Sequence, residues 1–183
     1  MALSLDDIER LLLHRGSSQY GKEAVSQLEH ALQCAELAEA HDETPETVVA
    51  CLLHDLGHLL VAEQAGAPDH DTRKDDLHQY VALPFLRQHL PDAVLDPIRL
   101  HVDAKRYLCQ QEPRYWDSLS PASKLSLEQQ GGVFNEHQAR AFSMLPFASE
   151  ATRLRRYDDL AKVPGRTDLP PLSRYTALLA TWF

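Results

Sequence analysis

The chain has 183 residues, of which 44% are hydrophobic and 25% charged, and its formal net charge is −9. That length allows one well-filled core and is short for two, and the composition is ordinary for a soluble globular protein. The negative charge argues against nucleic acid or an anionic membrane as partner, so an anionic ligand would need a local positive site.

The first element is a helix: Leu5, Ile8, Leu11 and Leu12 recur at helical spacing behind Ser4 as cap, with Asp6 and Asp7 in the first turn. This acidic start with only a short leucine run is not expected to be a signal peptide. A second helix is expected from about Glu23 to Ala40, with Val25, Leu28, Leu32, Ala35 and Leu37 apolar. Thr44 and Pro45 mark the start of a third, which the apolar run carries from Val48 to Leu60. Glu63 to Asp76 is polar and reads as a loop. Further helices are expected at Leu77–Leu90, Pro97–Leu108 behind Asp96, Ser120–Gln130, Asn135–Met144 and Ala148–Lys162. A last one, Leu172 to Phe183, should dock Leu178, Leu179 and Trp182.

No segment alternates with a period of two, so the fold class expected is all-α, a single helical domain over residues 1–183. No stretch is read as approaching the roughly 20 apolar residues of a membrane span. The three cysteines, Cys34, Cys51 and Cys109, are scattered and odd in number, which suits reduced thiols and a cytosolic location.

The chemistry concentrates at His54-Asp55-Leu56-Gly57-His58, inside an apolar helix. Adjacent imidazole and carboxylate can serve one metal, and a carboxylate, having two oxygens, can bridge two. His54 and His58 share a helix face, but a zincin-type site needs Glu after the first His, and Asp55 stands there. His30, His78 and His101 each lie in an apolar context on a different helix. Taken singly, each reads as a packed core histidine. Four embedded histidines on separate elements, one beside an aspartate, point instead to a shared metal site. His14, His41, His70, His89 and His137 sit in polar or helix-end settings and read as surface residues.

The order His30, His54-Asp55, His78, His101 and a late Asp158 resembles the HD-domain superfamily in its two-metal form. The stretches Gln27-Leu28-Glu29-His30, Leu53–His58, His101–Leu108 and Leu127-Glu128 with Gln130-Gly131-Gly132 look like one branch, the phosphonate-cleaving diiron oxygenases related to the myo-inositol oxygenases. The resemblance runs from about Tyr20 to Asp158 and is weak from Leu59 to Asp76 and after Lys162. It implies an HD-domain helical bundle and two iron ions in a mixed-valent Fe(II)/Fe(III) pair. His30, His54, Asp55 and Asp158 would hold one iron, and Asp55 would bridge to a second bound by His78 and His101. Tyr20 would cap an iron at rest and move off when substrate arrives. The substrate implied is a small organophosphonate, with O2 as co-substrate. Lys105, Ser123 and Arg155 would meet the phosphonate, and His58 would contact substrate rather than iron. Glu23, on a stripe with Gln27 and His30, would meet an ammonium group.

Spacing agrees in part: Lys105 lies four residues after His101, and Arg155 three before Asp158. Trp116, Tyr115, Tyr107 and Phe134 are the aromatics available for a cage if the amine is trimethylated. The reaction implied is O2-dependent cleavage of the carbon–phosphorus bond of a 1-hydroxy-2-(amino or trimethylamino)ethylphosphonate, giving glycine or glycine betaine and phosphate. The alternative is a metal-dependent phosphohydrolase acting on a nucleotide or other ester, which the His54-Asp55 core alone does not exclude.

Overall fold

The computed structural model describes residues 2–65 and 77–183. Among these residues no β-strand forms, and one isolated bridge joins Gln19 to Ser26. Helix α1 (Leu5–Arg15) starts as expected at Ser4. The Ser4 hydroxyl accepts from the Asp7 N–H, and the Asp7 carboxylate accepts from the Ser4 N–H.

Helix α2 (Gln27–Ala40) begins with the same reciprocal cap between Ser26 and Glu29. The expected start at Glu23 is therefore corrected, because the cap at Ser26 fixes the first turn and leaves Glu23 outside it. Gly21, at φ +54°, takes a conformation that side-chain-bearing residues rarely adopt. The Tyr20 N–H donates to Val25 O and the Glu23 N–H to Tyr20 O, closing a tight loop before the helix. Glu23, Gln27 and His30 thus form no continuous helical stripe.

Helix α3 (Pro45–Leu53) starts at Thr44 and Pro45 as read from sequence. The apolar run does not continue as one regular helix to Leu60. It breaks at His54-Asp55 and resumes as α4 (Leu56–Ala65). Pro45–Glu63 reaches a mean hydropathy of 1.2 over 19 residues, so the expectation of no span-length apolar stretch needs correcting. Its burial inside the bundle, 72%, accounts for that apolarity. The loop expected after Glu63 falls mostly outside the described residues, as does His70.

The helix expected at Leu77–Leu90 is two short ones, α5 (His78–Val81) and α6 (Leu83–Leu86). Pro84 has no N–H and would clash with the carbonyl four residues back, and here the chain breaks before it, placing Pro84 in the first turn of α6 where no N–H is needed. Helix α7 (Asp92–Gln111) corrects the reading in the other direction, since Pro97 lies inside it rather than at its start. Burial of Val94, Leu95, Ile98 and Leu100 offsets the hydrogen bond that Pro97 forgoes.

A single turn, α8 (Tyr115–Ser118), was not anticipated. Helix α9 (Pro121–Gln129) follows Ser120, α10 (Glu136–Ser143) follows Asn135, and α11 is Ala148–Leu160. Helix α12 (Leu172–Leu179) runs into a 3-10 turn at Ala180–Trp182, and Leu178, Leu179 and Trp182 all pack on the main core.

The long helix α7 lies against α11 and α3, and α2 lies against α3. Gly131 and Gly132, both at positive φ, turn the chain back after α9 and present their carbonyls to the Arg106 guanidinium of α7. That part of the sequence motif locks α9 beside α7. The interior is not wholly apolar: His30, His54, His101, Lys105, Arg155 and Asp158 are all buried among these helices. Ionisable groups are tolerated at such depth only when they are paired or hold a cation.

Candidate metal centre

Three of the buried imidazoles are clamped by main-chain carbonyls. His30 Nδ1 donates to Ala161 O at 2.8 Å, His54 Nδ1 to Cys51 O at 2.8 Å, and His101 Nδ1 to Ile98 O at 2.7 Å. Each clamp fixes the ring orientation and leaves Nε2 facing inward. The inward nitrogens meet in pairs, His30 and His54 at 3.3 Å, His78 and His101 at 3.1 Å.

Asp55 lies between the pairs. Its Oδ2 is 3.3 Å from His54 Nε2 and 3.8 Å from His30 Nε2. Its Oδ1 is 3.3 Å from His78 Nε2 and 3.8 Å from His101 Nε2. Asp158 from α11 closes the first nest, 3.5 Å from His30 and 3.9 Å from His54. The break between α3 and α4 is what turns Asp55 toward both nests.

Two backbone features bring His78 into range. A Cβ on Gly57 would stand 2.0 Å from His78 O, so only glycine lets α4 approach α5 this closely. Leu77 is held at φ +52°, a conformation costing about 1–2 kcal/mol for a residue with a side chain. Such strain persists where surrounding structure demands it.

The donors fit a cation. Asp55 Oδ2 and Asp158 Oδ1 are buried oxygens with no hydrogen-bond partner among the described residues. Buried carboxylate oxygens without hydrogen-bond partners are costly unless positive charge sits beside them, as a metal ion among these nitrogens would. Burial disfavours protonation of His54, yet Asp55 and Asp158 outweigh it and push that imidazole up to about 10. Burial and the neighbouring His54 pull His30 down to about 4. Burial, His78 and His54 hold His101 well below its usual value. Burial alone would raise Asp55, but His54, His78 and His58 keep it well below the carboxylate range. The nest therefore offers ionised carboxylates and neutral His30 and His101, while His54, which the carboxylates hold protonated, would have to give up that proton to a metal ion taking its place.

Around this centre the other expected residues gather. The Tyr20 ring stacks on His30 at 3.9 Å, and burial with the charges of Asp158 and Asp55 raises its hydroxyl well above the usual phenol value. His58 stacks on His78 at 4.0 Å, with Nε2 3.9 Å from Asp55 Oδ1. His58, Asp55 and His78 also form a group of possible ligands, so geometry leaves room for an imidazole–metal contact there. Lys105 Nζ donates to Ser126 Oγ at 2.7 Å, and burial with Arg155 nearby pulls the ammonium down to about 7. Arg155 is already engaged, donating from Nη1 to Asp158 at 2.6 Å and from Nε and Nη2 to Asp159.

Ser123 is buried near the start of α9. Glu23 accepts from Ser120 Oγ at 2.5 Å, and Gln27 is the half-buried first residue of α2. The four aromatics have other partners: Tyr107 and Phe134 pack on Phe142, Trp116 lies under Lys124, and the Tyr115 hydroxyl donates to Asp159.

Sequence reasoning missed Ser126, Asp159 and Lys162. Lys162 lies four residues after Asp158, one helical turn, and that spacing could have found it.

Residues 28–130 match the profile described as HD domain, which takes in His30, His54, Asp55, His78 and His101. The chain is 43% identical over 165 residues, 90% of its own length and 81% of the relative's, to a protein of Gimesia maris named hydroxymethylphosphonate dioxygenase. It is 36% identical over 148 residues to the 1-hydroxy-2-(trimethylamino)ethylphosphonate dioxygenase (glycine-betaine-forming) of Leisingera caerulea, covering 81% of this chain and 74% of that one. The chain belongs to the HD-domain phosphonate dioxygenase family. An uncharacterized protein of Acanthamoeba polyphaga mimivirus is 32% identical over 170 residues, 90% of this chain and 74% of that protein. Membership explains the all-α bundle and the buried His/Asp cluster at its centre as an HD-type metal site.

Proposed function

We propose that this chain cleaves the carbon–phosphorus bond of a 1-hydroxyphosphonate with O2, using a mixed-valent iron pair. His30, His54, Asp55 and Asp158 would hold one iron, and Asp55, His78 and His101 the other. The observation that carries this reading is Asp55, whose two oxygens face two separate imidazole pairs. Iron, when bound there, supplies the redox capacity to reduce dioxygen, which zinc lacks. Two carboxylates against an Fe(II)/Fe(III) pair leave a net charge of about +3. That is the local positive site a chain of net charge −9 needs for a doubly charged anion.

The protein's own groups do the rest. Lys105, Ser123 and Arg155 bind the phosphonate oxygens, Arg155 through N–H groups left over from Asp158 and Asp159. His58 meets the substrate at the half-exposed mouth of the site. Tyr20 covers the His30 side and withdraws as substrate enters, with Gly21 as the hinge. Glu23 spends one carboxylate oxygen on Ser120 and offers the other to a substrate ammonium, so the 2-aminoethyl series is favoured. Each turnover places one oxygen atom in the carboxylate product and one in phosphate. Reduced thiols suit a cytosolic enzyme.

The test is oxygen uptake by iron-loaded protein with hydroxymethylphosphonate, 2-amino-1-hydroxyethylphosphonate and its trimethylated form. Phosphate should appear in step with oxygen consumed, and heavy oxygen from the gas should enter both products. Stoichiometric zinc, no iron-dependent activity and anaerobic phosphate release from an ester would overturn the reading.

A further inference from the structure

A second lysine approaches the same helix as Lys105. Lys162 lies two residues past the end of α11, next to Ala161, whose carbonyl clamps His30. Its side chain is only 11% exposed. Nζ donates to Ser123 Oγ at 3.1 Å, and it stands 3.5 Å from Asp158 Oδ1 and 3.7 Å from Asp159 Oδ1. It also lies 5.9 Å from the centre of the Tyr20 ring.

Two lysines, from α7 and from the end of α11, thus meet two serines one turn apart on α9: Lys105 with Ser126, and Lys162 with Ser123. A neutral hydroxyl is a poor partner for a nearly buried ammonium, and the carboxylates beside Lys162 have other claims. Arg155 pairs with both Asp158 and Asp159 at closer range, and Asp158 is a proposed metal ligand. With Asp158 spent on a metal, Lys162 would keep only Asp159 Oδ1, 3.7 Å away and already paired with Arg155, so three cations share too few carboxylates. Three cations, Lys105, Arg155 and Lys162, then converge on one edge of the metal nest, close enough that Arg155 and Lys162 both disfavour the charged form of Lys105. Like charges gathered in a low-dielectric site are destabilising unless an anion joins them.

We propose that Lys162 is a phosphonate-binding residue, the second of a pair of lysines mounted on Ser123 and Ser126 to grip a dianionic head group. This rests on the phosphonate reading above and adds a contact to it. Tyr20 lies over Lys162 as well as His30, so withdrawal of its ring would expose the ammonium and the metal nest together.

The experiment compares the iron-loaded parent with Lys162→Met and Lys162→Arg in two assays. In turnover, Lys162→Met should raise KM for the hydroxyphosphonate roughly 10- to 100-fold, as expected for losing one charge-assisted hydrogen bond. The effect on kcat should be smaller, and Lys162→Arg should recover part of the loss. In calorimetry, methylphosphonate and inorganic phosphate should bind Lys162→Met more weakly by a similar factor, with iron content unchanged. Parent-like KM and parent-like phosphate affinity in Lys162→Met would overturn the inference. So would a fall in iron content with unchanged anion affinity, because Lys162 would then only support Asp158. If the parent turns over no hydroxyphosphonate, the oxygenase reading fails, and the calorimetric comparison still decides whether Lys162 holds the anion.

Discussion

The floor of the site and its rim are built on opposite principles. On the floor, three imidazoles are held by main-chain carbonyls of rigid elements, and Asp55 Oδ2 and Asp158 Oδ1 are left without hydrogen-bond partners among the described residues. On the rim, Lys105, Arg155 and Lys162 rest on side chains: serine hydroxyls and the carboxylates of Asp158 and Asp159. Main-chain clamps fix a geometry before any ligand arrives. Side-chain partners can be exchanged for a ligand's oxygens at small cost. The floor is organised for cations that stay, and the rim for an anion that comes and goes.

The floor should fail in steps that depend on which nest is touched. Asp55→Ala removes the carboxylate that, among the described residues, faces both imidazole pairs, so metal analysis should fall from about two ions per chain to none. His78→Ala should lose one ion and keep the His30/His54 ion. Equal losses in the two variants would break the two-nest description. Gly57→Ala is a subtler cut at the same place. Its Cβ would stand 2.0 Å from His78 O, a main-chain atom that cannot simply turn aside. Overpacking of this kind costs about 1–3 kcal/mol. The variant should melt earlier and lose metal first from the His78/His101 nest.

The rim should respond in kinetics. Lys105→Met should keep both ions while KM rises roughly 10- to 100-fold. Arg155→Ala should weaken substrate binding and also metal retention, because Arg155 orients Asp158. Lys105 has a pH signature too. Its ammonium titrates at about 7 in the fold against 10.5 for the free side chain, so between those values the unfolded chain binds the extra proton. Parent stability, measured relative to Lys105→Met by denaturant melts, should therefore rise as pH climbs from about 7 toward 10. A flat difference would show that Lys105 is not a destabilised buried cation.

Much of the floor was legible in the sequence because its ligands are chemically unusual where they stand. A histidine among leucines is conspicuous, and four such histidines, with Asp55 and Asp158, carried the resemblance in matching order. Helix starts marked by side-chain caps, as at Ser4, Thr44 and Ser120, were legible for the same local reason. The errors came where tertiary packing overrode local rules. Pro97 looked like a helix start and was absorbed into α7 by the burial around it. The apolar run after Val48 gave no sign of the break at His54-Asp55, since a break and a continuing helix share one hydrophobic pattern. Ser126 and Asp159 gave no signal because serine and aspartate are unremarkable on any helix, and Lys162 offered only its four-residue spacing from Asp158. Only the approach of α7 and α11 to α9 gives them a shared meaning.

The smallest effect concerns how the rim is tied to the loop that bears Tyr20. Ser120 caps α9 by accepting from the Ser123 N–H, and its hydroxyl also donates to Glu23, 97 residues earlier in the chain. Thr44 caps α3 in the same way, accepting from the Thr47 N–H, and among the described residues has no such second contact with the loop. Thr44→Ala and Ser120→Ala should each cost about 1 kcal/mol of stability, the usual loss of an N-cap. Only Ser120→Ala should also free the Tyr20 loop, whose closure depends on the Tyr20 N–H to Val25 O and Glu23 N–H to Tyr20 O bonds. Amide hydrogen exchange at Tyr20 and Glu23 should therefore speed up several-fold in Ser120→Ala and stay at the parent rate in Thr44→Ala. If the two variants exchange alike at those amides, the Glu23–Ser120 contact does not hold the loop. The covering of His30 by Tyr20 would then rest on the ring stack alone.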